Sequence, residues 1–170
     1  MASRPFSDEE SPSSFTVASD RVSLRTEARI QFVDVTDLVV ERVRRSGIAH
    51  GLVCVQTRHT TAAIVVNENE PRLLEDVRRL LERLAPGDLH YAHDDLALRH
   101  DPAPDESPNG DAHCRALLLP TSAALAVIGG KVELGTWQRI FLVELDGPRQ
   151  RTVAVLVLGT MLDASRRRSR

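Results

Sequence analysis

The sequence predicts an α+β fold, a single domain of mostly antiparallel or mixed β-sheet packed with two or three helices. A chain of 170 residues is a normal size for one domain, and 42% hydrophobic with 27% charged residues is typical of a globular protein. Apolar segments indicate about seven or eight strands but only two or three helices. Strand–helix–strand alternations are too few for a doubly wound sheet, which favours the α+β class.

The domain is predicted to span residues 14–160, between two tails. Residues 1–13 are polar and rich in Ser and Pro, and they lack the apolar segment of a secretory signal. Residues 161–170 contain a basic cluster at the chain end, whereas a nucleic-acid surface needs basic residues over a folded face. No apolar run approaches the roughly 18 residues of a membrane span. We therefore expect a cytoplasmic protein without nucleic-acid or membrane partners.

The first elements predicted are a hairpin and a helix. Residues 15–17 and 22–24 alternate loosely between apolar and polar around Ser19-Asp20, which is typical of a hairpin turn. The apolar residues at 35, 38, 39 and 43 recur at the spacing of one helical face, and Gly47 marks the end of that helix.

Two strands and the clearest helix follow. Residues 51–57 and 61–66 are apolar on both faces, as expected of strands in the interior of a sheet. Pro71 stands at a helix start, and a leucine-rich stripe continues to Leu84 before Pro86-Gly87 ends the helix.

The second half begins with an unusual polar stretch. Residues 88–111 are rich in His, Asp, Pro and Asn, and loops of this length are uncommon unless they bind something or are disordered. A short helix over 112–119 is predicted next, and then a hairpin of residues 122–128 and 131–134 around Gly129-Gly130. The segments TWQRIFLVEL and TVAVLVLG, on either side of an Asp-Gly-Pro-Arg turn, predict a closing hairpin.

Histidines are the first candidates for chemistry. An imidazole can ligate a divalent metal or transfer a proton near neutral pH, and carboxylates can orient a ligating imidazole. The polar stretch contains His90, His93 and His100, with His113 just after it, and it also contains Asp94, Asp95, Glu106 and Asp111. No HExxH or comparable zinc motif is present, so a solvated polar loop remains the alternative interpretation.

Glu144 is the second candidate, because it ends an otherwise apolar strand. A buried carboxylate without partners costs several kcal/mol, so we expect pairing with Arg149 or Arg151 across the turn, or exposure at a site. Two interpretations stay open: a structural salt bridge that holds the turn, or an anion site in which an arginine binds phosphate oxygens bidentately.

Four stretches form a distinctive set of motifs: HTTAAIVVNENEP from His59, NGDAH at 109–113, GTWQ at 135–138 and ELDGPRQR at 144–151. Together they resemble the YjbQ-like family, whose members are often described as secondary thiamine-phosphate synthase enzymes. The similarity covers about residues 15–160. It implies a compact α+β domain whose β-sheets pack around a threefold axis, hence a homotrimer, with a polar site at which metal or anions bind.

Eight residues of this chain match positions in the motifs of the family. The matching residues are His59, Glu68, Asn69, His93, His113, Trp137, Gln138 and Arg149. One segment departs from the family pattern, because residues 94–108 form a longer connection than the short acidic one of the family. The geometry of that loop does not follow from the resemblance.

The first expectation for function is therefore a synthase that joins a pyrimidine diphosphate to a thiazole phosphate with loss of pyrophosphate. Zn or Mg held by His59, His93 and His113 would neutralise the leaving diphosphate. The expected substrate-binding residues are Asn69, Lys131, Trp137 and Arg149, and the expected catalytic residues are Glu68, Gln138 and Glu144. The alternatives are a trimeric metal- or anion-binding protein without turnover, and a metal-assisted hydrolase with Glu68 or Glu144 as the base.

Overall fold

Two antiparallel sheets and three α-helices make up the part of the chain that the structure, a computed structural model, describes: residues 14–100 and 107–161. The elements in chain order are β1 (Phe15–Arg25), β2 (Gln31–Asp34), α1 (Thr36–Ser46), β3 (Ile48–Thr57), β4 (Ala62–Glu68), α2 (Pro71–Leu84), α3 (Gly110–Leu117), β5 (Ser122–Ile128), β6 (Lys131–Val132), β7 (Gln138–Glu144) and β8 (Gln150–Met161). The larger sheet has the order β1-β8-β3-β5-β6, and the smaller has the order β2-β7-β4.

The core lies between the two sheets and α1. Val53 of β3 and Val155 of β8, in the larger sheet, are fully buried with Ile64 of β4 and Leu142 of β7, in the smaller one. Val39 and Val43, on one face of α1, join this cluster with Val35, the residue before the helix, as the helical spacing predicts. The smaller sheet is thus covered by the larger sheet and α1 on one face.

The opposite face of the smaller sheet is covered by α2 and α3. Phe141 and Val143 of β7 pack here with Leu81 of α2 and Ala112 of α3. Pro71 opens α2, and the carboxylate of Glu70 caps it by accepting hydrogen bonds from the N–H groups of the first turn. Every strand of the smaller sheet therefore lies within the protein, between two layers.

Most of the predicted elements are confirmed. Both long helices, the strands at 51–57 and 61–66 and the hairpin over Gly129-Gly130 are present, and the short helix starts at Gly110, slightly before its predicted position. The polar stretch contains two 3₁₀ turns, Ala92–Asp94 and Leu96–Leu98. Among the described residues, no helix has both the length and the apolar character needed to cross a membrane.

The predicted first hairpin is wrong. Residues 15–25 form one continuous strand, β1, which pairs with β8 along its whole length. Ser19 and Asp20 therefore lie within an edge strand instead of a turn, and the Asp20 carboxylate accepts a hydrogen bond from Arg42. Pairing with a long neighbouring strand outweighs the local turn preference of these two residues.

The predicted closing hairpin is also wrong, because β7 and β8 belong to different sheets. The turn between them, which contains a cis Gly147–Pro148 peptide, takes the chain from one sheet to the other. Strands β3 and β4 also belong to different sheets. The strand β4 is therefore not interior to a sheet as predicted. It lies at the edge of the smaller sheet and is buried by the layers on its two faces.

The predicted domain boundary needs one correction, since β8 extends to Met161, the first residue of the predicted C-terminal tail. The predicted N-terminal tail, the remainder of the C-terminal tail and residues 101–106 of the predicted loop lie outside the described residues.

Candidate functional site

A buried ion-pair cluster lies at the C-terminal end of β7. This Glu144 cluster consists of Glu144, Arg151, Thr26 and Thr61. Both carboxylate oxygens of Glu144 accept hydrogen bonds from the Arg151 guanidinium, and the Nε–Oε2 distance is 2.6 Å. The Thr26 hydroxyl donates at 2.8 Å, and the N–H groups of the two residues after Glu144 donate at 2.9 and 2.8 Å. Arg151 also donates to the Thr61 hydroxyl at 3.0 Å.

The environment of Glu144 determines its charge. Burial by itself raises the pKa of a carboxyl group, but the hydrogen bonds from Arg151, the Asp146 N–H and Thr26 outweigh it and hold the pKa of Glu144 below its ordinary value. The side chain is fully buried and ionised, and both of its oxygens are engaged. This geometry favours the structural salt bridge over the predicted catalytic role, and Arg151 is the partner.

The predicted anion ligand Arg149 lies on the turn after Glu144. Its Nε and Nη2 atoms contact Asp146 Oδ2 at 3.0 and 2.9 Å, and Asn109 Nδ2 donates to the same oxygen at 3.0 Å. The Arg149 side chain is 39% exposed, whereas Asp146 is buried. Arg149 is thus held in place by Asp146 and remains partly exposed to solvent.

His93 and His113 are in direct contact. Their ring centroids are 4.6 Å apart, with the rings inclined at 64°. His113 belongs to α3, and His93 lies in the 3₁₀ turn Ala92–Asp94. We call these two residues the histidine pair.

Local sequence explains how the turn and the helix come together. Asp94 Oδ1 accepts hydrogen bonds from the N–H groups of Asn109 and Gly110 at 2.9 and 2.8 Å, so it caps the start of α3. A Cβ atom on Gly110 would lie 2.4 Å from Tyr91 Cβ, so only glycine permits this approach. The Asn-Gly step before α3 therefore serves to bring His93 beside His113.

A pocket of about 280 Å³ adjoins the histidine pair. It is lined by Thr60, Ala62, His113, Ala116, Leu117 and Thr121. The loop between β3 and β4 contributes Thr60, and α3 contributes the imidazole. The lining is thus mostly apolar, and its polar residues are His113 and the two threonines.

The third predicted metal ligand, His59, is engaged elsewhere. Its Nε2 atom accepts a hydrogen bond from the Thr152 N–H at 2.8 Å. Burial lowers the pKa of His59, and the positive charge of Arg151 lowers it further, so the ring is neutral near pH 7. Across residues 14–100 and 107–161 there is no cluster of three or more His, Cys, Asp or Glu side chains that could hold a metal.

Four other predicted site residues lie far from the Glu144 cluster in the same chain. In the β4–β7 pair, Ala62 is opposite Glu144 and Glu68 is opposite Gln138. The two ends of the pair are therefore six residue steps apart, or roughly 20 Å at about 3.4 Å per residue. The predicted catalytic Glu68 and Gln138 and the predicted substrate ligands Asn69 and Trp137 are all at the end remote from the Glu144 cluster.

At that remote end, polar side chains are engaged locally. Asn69 Nδ2 donates to Asp34 Oδ2 at 3.0 Å, and Gln138 Oε1 accepts from the Gly135 N–H at 2.8 Å. Trp137 is 71% exposed. Lys131 belongs to a third location, the hairpin at the far end of β5. Within one chain, the predicted residues therefore do not form a single site.

Sequence reasoning did not identify Thr26 or Asn109 as site residues. Thr26 follows an exposed edge strand, and nothing in its local sequence indicates a bond to a carboxylate 118 positions away. Asn109 carried a signal, because an Asn-Gly step before an apolar helical segment is typical of a capped helix start.

A model of the family described as "UPF0047 protein YjbQ-like" matches residues 20–160. This chain belongs to that family. A UPF0047 protein of Methanothermobacter thermautotrophicus is 42% identical over 143 residues, which cover 84% of this chain and 93% of the relative. A UPF0047 protein of Archaeoglobus fulgidus is 44% identical and covers 81% of this chain and 98% of its own length.

Solved structures of similar proteins have the same fold. A YbjQ-like protein of unknown function from Sulfolobus solfataricus P2 superposes with a TM-score of 0.77 at 36% identity, covering 85% of this chain and 99% of that one. A hypothetical protein from Aeropyrum pernix K1 gives a TM-score of 0.74 at 39% identity and covers 84% of this chain and 98% of its own. The predicted family and α+β fold are confirmed.

Proposed function

We propose that this protein binds a divalent metal ion through the histidine pair and holds a phosphorylated small molecule in the adjoining pocket. The observation that supports this most strongly is the contact between His93 and His113, at 4.6 Å between ring centroids. Imidazole is a common ligand for zinc, and two rings this close suit one ion. Zinc sites usually have three or four protein ligands, so this pair is a partial set. Solvent, the bound molecule or a neighbouring copy would supply the other ligands.

Two threonines of the pocket and one partly exposed arginine motivate the proposal of an anionic ligand. Thr60 and Thr121 belong to a lining that is otherwise mostly apolar, and their hydroxyl groups can donate hydrogen bonds to phosphate oxygens. Arg149 is not part of this lining, and its side chain is partly exposed while Asp146 holds it. These groups suit the binding and orientation of a phosphorylated compound.

The reaction that we propose is the transfer expected for a secondary thiamine-phosphate synthase, in which a pyrimidine diphosphate joins a thiazole phosphate. A divalent metal supplies neutralisation of the leaving diphosphate in such chemistry. The residues of this chain would bind the two phosphorylated compounds and hold them in position for the transfer.

Binding without turnover is the second candidate, and the position of the carboxylates favours it over hydrolysis. The oxygens of Glu144 are all engaged, and Glu68 lies at the remote end of β4. Within one chain, Glu68 is thus remote from the pocket residue Ala62, and Glu144 is held in its ion pair with Arg151. The expectations of a cytoplasmic location and of no nucleic-acid partner stay predictions.

We further propose that the protein is a homotrimer, because the outer face of the larger sheet has an apolar patch that is exposed in the part of the chain that the structure describes. Val17, Leu158, Leu52 and Ala126 pair across four strands and so share one face. Val17 is 58% and Leu52 45% exposed, and Phe15 and Ile128 extend the patch. Contiguous apolar faces of this kind are typical of subunit interfaces.

Two leucines with the same exposure test the trimer. Leu52 is at the centre of the outer face and Leu80 lies on α2, and each is 45% exposed. We expect Leu52→Glu to convert a trimer into monomers in sedimentation velocity, whereas Leu80→Glu stays trimeric. A monomeric wild type at micromolar concentration would refute the proposal, and so would a Leu52→Glu trimer.

The proposed function is tested by an assay in which untagged protein is incubated with the pyrimidine diphosphate and the thiazole phosphate, in the presence and absence of Zn²⁺ or Mg²⁺. Metal-dependent formation of thiamine phosphate that His113→Ala abolishes and His90→Ala retains would support the transferase. His90 is a suitable control because its side chain is 74% exposed. Stoichiometric metal binding without product would favour a binding protein, and absence of both would refute the proposal.

A further inference from the structure

His59 completes the hydrogen bonding of a sheet edge. The pairing of β3 with β8 ends at Thr57 and Val153, so the N–H of Thr152, the next residue outward on β8, has no partner in that ladder. The ring of His59 supplies the acceptor, with 2.8 Å between Nε2 and the Thr152 nitrogen. Backbone N–H groups inside proteins are almost always paired, so this bond fixes the position of the ring.

The bond also determines the tautomer. A neutral imidazole has one N–H and one lone pair, on different nitrogens. Because Nε2 accepts from a backbone N–H, its lone pair is on Nε2 and the proton is on Nδ1. A metal ion on Nδ1 would require removal of that proton, and a metal ion on Nε2 would displace the Thr152 bond. The ring is thus poorly suited to be a metal ligand and well suited to donate.

The Nδ1 side of the ring is the one available to a ligand. None of the hydrogen bonds among the described residues uses Nδ1, and Nδ1 is not among their buried polar atoms without a partner. Burial and the nearby charge of Arg151 both oppose protonation of the ring, although Glu144 acts in the opposite direction. A neutral N–H donor therefore projects from the HTT loop, directly before the threonine that lines the pocket.

We infer that His59 is a hydrogen-bond donor, which presents Nδ1–H to an oxygen of the bound anion, and that it is not a metal ligand. The identity of the anion rests on the proposed function, whereas the tautomer and the exclusion from metal binding do not.

Nitrogen NMR of protein labelled with ¹⁵N-histidine tests the tautomer directly. The His59 signals are identified as those that disappear in His59→Asn. At neutral pH we expect a protonated Nδ1 and an unprotonated Nε2, with no change on addition of Zn²⁺. A protonated Nε2 would overturn the inference, and so would a shift of the His59 nitrogens on zinc binding.

Two substitutions separate the two sides of the ring. Asparagine at 59 keeps an N–H near the position of Nδ1, whereas glutamine can accept from Thr152 but places no donor at Nδ1. We expect inorganic pyrophosphate, measured by calorimetry, to bind His59→Asn within about 3-fold of wild type and His59→Gln about 10-fold more weakly, as for a lost hydrogen bond to a charged group. Zinc affinity should be the same in both variants.

Two results would contradict this role: equal pyrophosphate affinity in the two variants, or a loss of zinc affinity in either. Wild-type protein that does not bind pyrophosphate would refute both the proposed function and the anion-donor role. It would leave the tautomer and the exclusion from metal binding to be decided by the NMR and zinc results alone.

Discussion

The Glu144 cluster and the histidine pair are both built from polar side chains within one small domain, but they differ in burial and in their surroundings. In the cluster, Glu144 is fully buried and both its oxygens are engaged by Arg151, Thr26 and backbone N–H groups. The histidine pair is only partly buried and adjoins a pocket. A polar group that is fully paired inside the protein stabilises the fold, whereas a polar group at a pocket wall is able to meet a ligand.

The largest expected effect is on stability, at the cluster. Arg151→Met leaves the Glu144 carboxylate buried without its ion-pair partner, which should lower the free energy of unfolding by about 3–5 kcal/mol. Urea denaturation measures this, and Arg79→Met is the control, since Arg79 forms an exposed ion pair with Glu75, and surface ion pairs contribute little to stability. Equal losses in the two variants would mean that the cluster is not a stabilising element.

The second effect is a dependence of stability on pH. The pKa of Glu144 is lowered in the folded state, so its ionised form stabilises the protein above the ordinary value of 4.5 and this contribution is lost as the pH falls through the folded-state pKa. Between pH 5 and pH 3, roughly, the stability of wild type should fall more steeply than that of Glu144→Gln. The surface carboxylates Glu41 and Glu75, each with its pKa lowered to about 2, are common to both proteins.

Parallel slopes for wild type and Glu144→Gln would contradict this assignment. They would show that Glu144 has the same proton affinity in the folded and unfolded states, which is incompatible with a carboxylate held ionised by Arg151.

The smallest effect is expected at the remote end of the β4–β7 pair. Trp137→Ala removes an exposed ring, so the free energy of unfolding should change by no more than about 0.5 kcal/mol. Thermal or urea unfolding of the two proteins measures the difference. A loss of several kcal/mol would show that another copy of the chain covers Trp137, and the division into a stabilising end and an exposed end would then hold only for the isolated chain.

Local sequence was sufficient for the helices and for the pairing of Glu144. Pro71 and the leucine stripe define α2. A carboxylate in an apolar strand requires a cation nearby, and Arg151 was one of the two partners expected for Glu144. Local sequence was not sufficient for the assignment of strands to sheets. A tight turn after an apolar strand is compatible with a hairpin or with a crossing between sheets, and β7 and β8 cross.

The candidate site shows the same limit. The resemblance placed His59, Glu68 and Gln138 in one site, but strand register pairs Glu68 with Gln138 at one end of β4 and leaves His59 before the other end. Six residue steps lead from Ala62 to Glu68. The contact between His93 and His113 depends on Asp94 and Gly110, which join a 3₁₀ turn to α3. Such contacts depend on tertiary packing, which no local pattern contains.

The most direct test of whether the histidine pair binds a ligand is the zinc affinity of untagged, metal-free protein. We expect His113→Ala to bind zinc at least about 10-fold more weakly than wild type. His90→Ala should bind as wild type does, and both variants should unfold at the wild-type urea concentration. Equal zinc affinity in wild type, His113→Ala and His90→Ala would contradict the assignment.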